Sequence, residues 1–199
     1  MKIICLGQNY PHGEAAAPQQ PVIFLKPDSC ILHGGNPFFL PEFSQRITLE
    51  AELAVRICRL GKYIDPRFAH KYYDAFTLGI DFTAQDLYDR LAAEGQPVDI
   101  AKGFDGAAAI GRWIDKGAFE DPGRICFGLS DGEKDVMRGE TGQMHFSIDQ
   151  TIGIVSRYYT LKTGDILLTG APAAALTVKG GERFSGWIDR EEVLHLKIK

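Results

Sequence analysis

ITLEAELAVRI, residues Ile47–Ile57, alternates without a break: Ile47, Leu49, Ala51, Leu53, Val55 and Ile57 take one set of positions, and Thr48, Glu50, Glu52, Ala54 and Arg56 the other. A period of two is that of a β-strand with one buried face. Residues two apart point the same way, so Glu50 and Glu52 project from one face, roughly 7 Å apart at Cα. Two carboxylates that close repel each other. On this segment alone the polar face reads as solvated, as in many antiparallel sheets. A metal site would need a third acid and a reason for the face to be enclosed.

Asp81, in FTLGIDFTAQD, is that third acid. Ile80 and Phe82 flank it in an apolar run, where an unpaired carboxylate would cost several kcal/mol unless it were bound or neutralised. It serves either as a strand-end cap for the helix that follows, a task open also to Thr83 and Asp86, or as part of a site. Three carboxylates without a Cys or His ligand suit a hard cation such as Mg²⁺, Mn²⁺ or Ca²⁺.

The remaining totals narrow the class. The chain has 199 residues, 45% of them hydrophobic and 24% charged, which fits one globular domain spanning 1–199 with a full core. Its formal charge of −4 implies no nucleic-acid or membrane partner and leaves small molecules and other protein chains. Four cysteines without CxxC spacing and five histidines without a paired zinc pattern carry no zinc signature. Cys58, in a strand-like run, reads as a buried thiol. MKIICLG is too short an apolar run for a secretory leader, and no 18-residue apolar span occurs, so a cytoplasmic protein with reduced thiols is expected.

Along the chain, Lys2–Leu6 and Val22–Leu25 read as strands around a loop at about 8–20 that is rich in Ala, Pro, Gly and Gln and expected to be mobile. PRFAHKYYDAF has helical spacing, with Pro66 suited to a first turn. FTLGIDF reads as a buried strand, AQDLYDRLAAEG as a helix ending at Gly95, and IAKGFDGAAAIG as irregular. Asp131-Gly132 marks a hairpin, DQTIGIVSRYYT a helix, TGDILLTGAP a strand after a turn at Gly164, and VLHLKIK a last strand.

GQNY, PVIFLKP, LEAELAV, GIDFTAQD, AKGFD, DGEKDVMRGETGQM and GDILLTGAP follow one another in this order from about Ile3 to Lys197. Each is a weak signal alone; seven in order resemble the fumarylacetoacetate hydrolase family, in its acylpyruvate hydrolase and 2-hydroxyhepta-2,4-diene-1,7-dioate isomerase-like branch. The resemblance implies an α+β, mainly β fold, a mixed β-sandwich roll with a few short helices, working as a homodimer. It puts Glu50, Glu52 and Asp81 on the positions that chelate Mg²⁺ or Mn²⁺. The implied substrate is a small 2-oxo acid whose two oxygens chelate the metal, so that an enolate is stabilised as charge develops.

By the same resemblance Lys102, which read alone is a solvated lysine, matches an active-site lysine that stabilises the enolate or the carboxylate. His12 and Glu14 fall in a lid whose His–Glu pair activates water or shuttles protons. The family spacing there is His-x-x-Glu, whereas this chain has His-Gly-Glu in a shortened loop. Thr169 matches a threonine that faces the substrate. In the helix after the metal Asp, TAQDLY replaces TARDxQ, so Gln85 stands for an Arg and Tyr88 for a Gln at substrate-binding positions, and an amide cannot reproduce a bidentate clamp. TGAPAAALTV likewise replaces the ending TGTPxGVG. The implied activity is C–C bond hydrolysis of an acylpyruvate-like compound. Alternatives are tautomerisation or isomerisation of a 2-oxo acid, decarboxylation of oxaloacetate, and, in another class, a catalytically silent metal-binding paralogue.

Overall fold

Strands dominate the computed structural model, which describes residues 1–11, 13, 16–32 and 35–199. In chain order the elements are β1 (Lys2–Gly7), β2 (Val22–Pro27), β3 (Ile31–Leu32), β4 (Ile47–Ile57), β5 (Tyr73–Ala84), α1 (Gln85–Ala93), α2 (Asp99–Lys102), β6 (Ala108–Ile110), β7 (Ile114–Asp115), β8 (Cys126–Ser130) and β9 (Asp135–Glu140). Then come α3 (Ile148–Tyr158), β10 (Ile166–Leu168), β11 (Leu176–Thr177), β12 (Arg183–Ile188) and β13 (Glu191–Lys197). Among the described residues they form two sheets. The larger runs β2-β1-β10-β4-β5-β6-β3, with β11 also on β4 and β7 also on β5, and the smaller runs β13-β12-β8-β9. This is the mainly β architecture with short helices that the resemblance implies.

β4 and β5 are the centre of the larger sheet, antiparallel, with Leu49 opposite Phe82, Leu53 opposite Leu78 and Glu50 opposite Asp81. The apolar row of β4 packs with Phe76, Leu78 and Phe82 of β5 and with Phe127, Leu129, Met137, Leu194 and Leu196 of the smaller sheet in the main core. Leu49, Leu53, Phe76, Leu78 and Phe82 are fully buried, each contributing ~1.5–3 kcal/mol. The two sheets approach so closely at Gly186 that a Cβ there would lie 2.4 Å from Leu78 Cδ2.

The other face of β4 is not solvated. Ala54 joins Ile3, Cys5, Ile166, Leu168, Cys30 and Ala108 in a second apolar cluster, and Thr48 and Glu52 are buried. Strict alternation here marks a strand buried on both sides, with a polar row inside the protein.

Two local expectations change. Pro66–Lys71 is a 3₁₀ turn capped by Asp65, which accepts from Arg67 N at 3.0 Å, and the chain is extended from Tyr73 because Tyr73 pairs with Ile57. Pairing with β4 overrides the helical spacing of YYDAF. The Gly-rich middle holds the one-turn α2 and strand β6, which pairs with β5 through Asp81 and Ala108. Asp131 makes the β8–β9 turn, its Oδ1 accepting from Glu133 N and Lys134 N, both at 3.1 Å. Ser147 and Gln150 form a capping box at the start of α3. All four cysteines are free thiols; Cys58 is half-buried rather than buried. No helix among the described residues is long and apolar enough to cross a membrane.

Candidate active site

The β4–β5 register gathers the acids. Glu50 and Asp81 are directly opposed, so their side chains leave the same face, and Glu52 is the next residue of that row. Asp81 and Glu52 are 1% and 2% exposed. Lys102, the last residue of α2, brings Nζ to 3.0 Å from Asp81 Oδ2 and 3.7 Å from Glu50 Oε2. Its ammonium also lies 4.9 Å from the centre of the Phe24 ring. Lys102 is therefore not the solvated lysine that its sequence alone suggests.

A second lysine, Lys26 at the end of β2, joins the acids although the sequence analysis did not single it out. Its side chain is completely buried, with Nζ 2.7 Å from Asp81 Oδ1. It donates to the carbonyl oxygens of Phe82 and Ala107, each at 3.0 Å, and of Lys102. The signal was present, since Lys26 is a lone charge in the apolar run PVIFLKP, the same pattern that singles out Asp81. Lys26 thus ties β2, β5, β6 and the end of α2 to one carboxylate.

Glu52 is held from the other side. Its Oε2 accepts from Gly170 N at 2.5 Å. Gly170 has φ +95°, and a Cβ there would lie 2.9 Å from Asn9 Cβ, so backbone conformation and crowding both require glycine. Asn9, buried within GQNY, accepts from Phe146 N at 2.8 Å and donates to Thr169 O at 2.8 Å and Phe146 O at 3.1 Å. Asn9 thereby pins the end of β1 to the turn after β10. Thr169 lies beside the site, its hydroxyl donating to Leu53 O at 2.9 Å.

Electrostatically the cluster is short of positive charge, three carboxylates facing two ammoniums. Burial, then repulsion from Asp81 and Glu50, pushes the Glu52 carboxyl well above its ordinary range. Burial also raises Glu50, the opposing pull of Lys102 notwithstanding. For Lys102 burial works toward the neutral amine, but Asp81 and Glu50 outweigh it and hold the ammonium above its ordinary range. Asp81 Oδ1 has Lys26 within ion-pair distance yet no aligned hydrogen-bond donor.

Among the described residues, no three or more His, Cys, Asp or Glu side chains are drawn together as closely as a formed metal site requires. Lys102 bridges Glu50 and Asp81 instead, while Lys26 holds the other oxygen of Asp81. The donor chemistry nevertheless fits a hard divalent ion: oxygen donors only, two of the three acids buried, mutually repelling, and Asp81 Oδ1 without an aligned hydrogen bond.

Of the other expected residues, Gln85 opens α1, with its Oε1 3.3 Å from Thr48 Oγ1 and its Nε2 donating to Asp89 Oδ1 at 2.8 Å. Tyr88, half-buried one turn later, packs against the main core. Asp86 is a clamp, accepting from Ser44 Oγ at 2.5 Å, Gln45 N at 2.7 Å and Leu87 N at 2.9 Å. His12 and Glu14 lie outside the described residues.

Residues 2–196 match the fumarylacetoacetate (FAA) hydrolase C-terminal family. The chain belongs to the fumarylacetoacetate hydrolase family. It is an enzyme of that family, whose members among its relatives include hydrolases, isomerases and tautomerases. It is 35% identical over 192 residues to an uncharacterized protein of Pyrococcus horikoshii, covering 94% of this chain and 84% of that one. With the mitochondrial oxaloacetate tautomerase of Bos taurus it shares 32% identity over 201 residues, covering 99% and 90% respectively. The solved structure of fumarylpyruvate hydrolase from Pseudomonas aeruginosa, in complex with Mn²⁺ and pyruvate, superimposes with a TM-score of 0.91 at 26% identity, covering 100% of this chain and 89% of that one.

Proposed function

We propose that this family member is a divalent-metal-dependent enzyme acting on a small 2-oxo acid through its enolate, with C–C bond hydrolysis of an acylpyruvate-like compound as its reaction. The observation that carries the reading is that Glu50, Glu52 and Asp81 share one face of β4 and β5, Glu52 and Asp81 buried, with Lys102 against Glu50 and Asp81. Mg²⁺ or Mn²⁺ held by the three carboxylates would polarise the 2-oxo carbonyl as a Lewis acid. Lys102 sets a fixed cation where negative charge develops on the substrate, in a site sheltered from water. Lys26 fixes the rotamer of Asp81, and Gly170 N fixes that of Glu52, so neither acid has to be ordered on binding. Water activation and proton transfer fall to His12 and Glu14. The reading takes the chain as one catalytic domain working as a homodimer in the cytoplasm.

A second reading, tautomerisation of a 2-oxo acid, is favoured by the relative named an oxaloacetate tautomerase, which aligns over 99% of this chain. It shares the enolate and needs no activated water. The test is a turnover screen of acylpyruvates, oxaloacetate and hydroxymuconate-type acids with Mg²⁺ and Mn²⁺, repeated with His12→Ala. Hydrolysis lost in the variant while proton exchange at C3 persists supports the first reading. Tautomerisation without hydrolysis by the unaltered protein supports the second. Turnover of no 2-oxo acid with either metal contradicts both.

A further inference from the structure

Four segments distant in sequence meet at a cleft of about 350 Å³ that the carboxylate–lysine cluster does not use. They are the stretch from His70 to Tyr73, the turn at Asp121–Gly123, the turn from Thr141 to Met144, and the start of α3. Tyr73 opens β5 and Asp81 lies eight residues further on, roughly 26 Å along an extended strand. Pro122, Met144 and Ile148 give the cleft apolar walls. Asp121, Asp149 and the buried Tyr73 supply its polar groups, with His70 exposed at the rim.

The walls are tied in place by their own hydrogen bonds. Thr141 Oγ1 donates to Pro122 O at 2.7 Å and accepts from Ile125 N at 3.0 Å, and Asp121 Oδ1 accepts from Gly123 N at 2.8 Å. The Ser147–Gln150 capping box sets the first turn of α3, where Asp149 lies. Asp149 is half-buried, and its Oδ1 is shut away from water without a hydrogen-bond partner. Burial, then the charge of Asp149, pushes the Tyr73 phenol above its ordinary range, which leaves a neutral hydroxyl beside that carboxylate. The lysine and arginine nearby are engaged elsewhere. Lys116 donates to the carbonyl oxygens of His70 and Tyr73, with its ammonium 4.6 Å from the centre of the Tyr73 ring. Arg124 Nε lies 3.6 Å from Asp121 Oδ2, an exposed pair that solvent and salt screen. A carboxylate left uncompensated in a preformed apolar cleft is held at a cost that a bound cation offsets. Among the described residues no three His, Cys, Asp or Glu side chains converge as a metal site requires, so the cation that fits here is organic.

We infer that this cleft is a second binding site, separate from the carboxylate–lysine cluster, for a small organic cation: a primary ammonium carried on a short apolar body. Asp149 is the main partner of the ammonium, Asp121 adds a second negative charge at the mouth, and the Tyr73 hydroxyl offers a neutral acceptor between them and the interior. Met144, Ile148 and Pro122 cover the apolar body. The assignment does not depend on which reaction the acids of β4 and β5 carry out.

The test compares two probes of the same size and shape, benzylammonium and benzyl alcohol, by calorimetry on the whole chain at neutral pH. Hydrogen bonds to a charged group predict that the wild type prefers benzylammonium by roughly 10–100-fold. In Asp149→Asn that ratio falls toward one, while Asp121→Asn and Tyr73→Phe each narrow it. Glu50→Gln, at the other cluster, leaves it unchanged. Should Asp149→Asn fail to fold in a parallel melt, the Asp121→Asn and Tyr73→Phe ratios decide, and the site stands only if both narrow. Binding of neither probe, a wild-type ratio near one, or a ratio that a folded Asp149→Asn leaves unchanged overturns the site. A ratio that falls in Glu50→Gln instead places the cation at the acids of β4 and β5 and overturns it equally.

Discussion

Lys26→Met separates the two lysines that share Asp81. Methionine keeps most of the aliphatic stem and removes the ammonium. The loss leaves the carbonyls of Phe82, Ala107 and Lys102 without their donor and removes the partner of Asp81 Oδ1 at 2.7 Å, all in a region closed to water. Breaking a buried ion pair from one side costs about 3–5 kcal/mol. For a chain of this size each kcal/mol moves the melting temperature by ~2–4 °C, so a fall of roughly 6–20 °C is expected. Thermal unfolding followed by circular dichroism with divalent ions chelated measures it. A fall of under about 2 °C would refute the reasoning, because it would mean that this ammonium is not buried or that the carbonyls find other donors.

Lys102→Met is expected to lower turnover about a hundredfold or more and to lower the melting temperature by less than Lys26→Met does, since Asp81 keeps Lys26 while Glu50 loses its partner; steady-state kinetics beside a melt decides it. Gly170→Ala forces an L side chain to φ +95° with its Cβ 2.9 Å from Asn9, and should cost about 1–3 kcal/mol in urea unfolding. Burial tends to raise the Asp86 carboxyl, but Ser44, Gln45 and Leu87 outweigh it and hold the group below its ordinary range. Its folded value lies under the unfolded one, so its stabilisation is present above the ordinary aspartate range and lost as pH falls through the lowered value. The stability gap between wild type and Asp86→Asn should therefore be open at neutral pH and close on the acid side.

How far the site was legible depended on whether a residue's own neighbours in sequence defined its surroundings. Alternation in Ile47–Ile57 placed Glu50 and Glu52 on one face, and the apolar flanks of Asp81 marked it as enclosed. The direct opposition of Glu50 and Asp81 was hidden, because 15 residues separate β4 from β5 and no short turn sets the register. The enclosure of the glutamate face was hidden too: it comes from β1, β10 and β6, which are distant in sequence. Tyr73 to Phe76 misled because apolar residues at helical spacing were outweighed by pairing with β4 and β7. Lys26 escaped notice for the ordinary reason that a lone lysine belongs at a surface.

Titration of Mn²⁺ into the wild type, Glu52→Gln and Asp81→Asn by calorimetry addresses the account at its centre. The wild type is predicted to bind one ion per chain. Each variant should lose more than the ~10–100-fold in affinity that removing a mere supporting contact to a ligand costs. Equal affinity in wild type and both variants would contradict the assignment of these carboxylates to the metal.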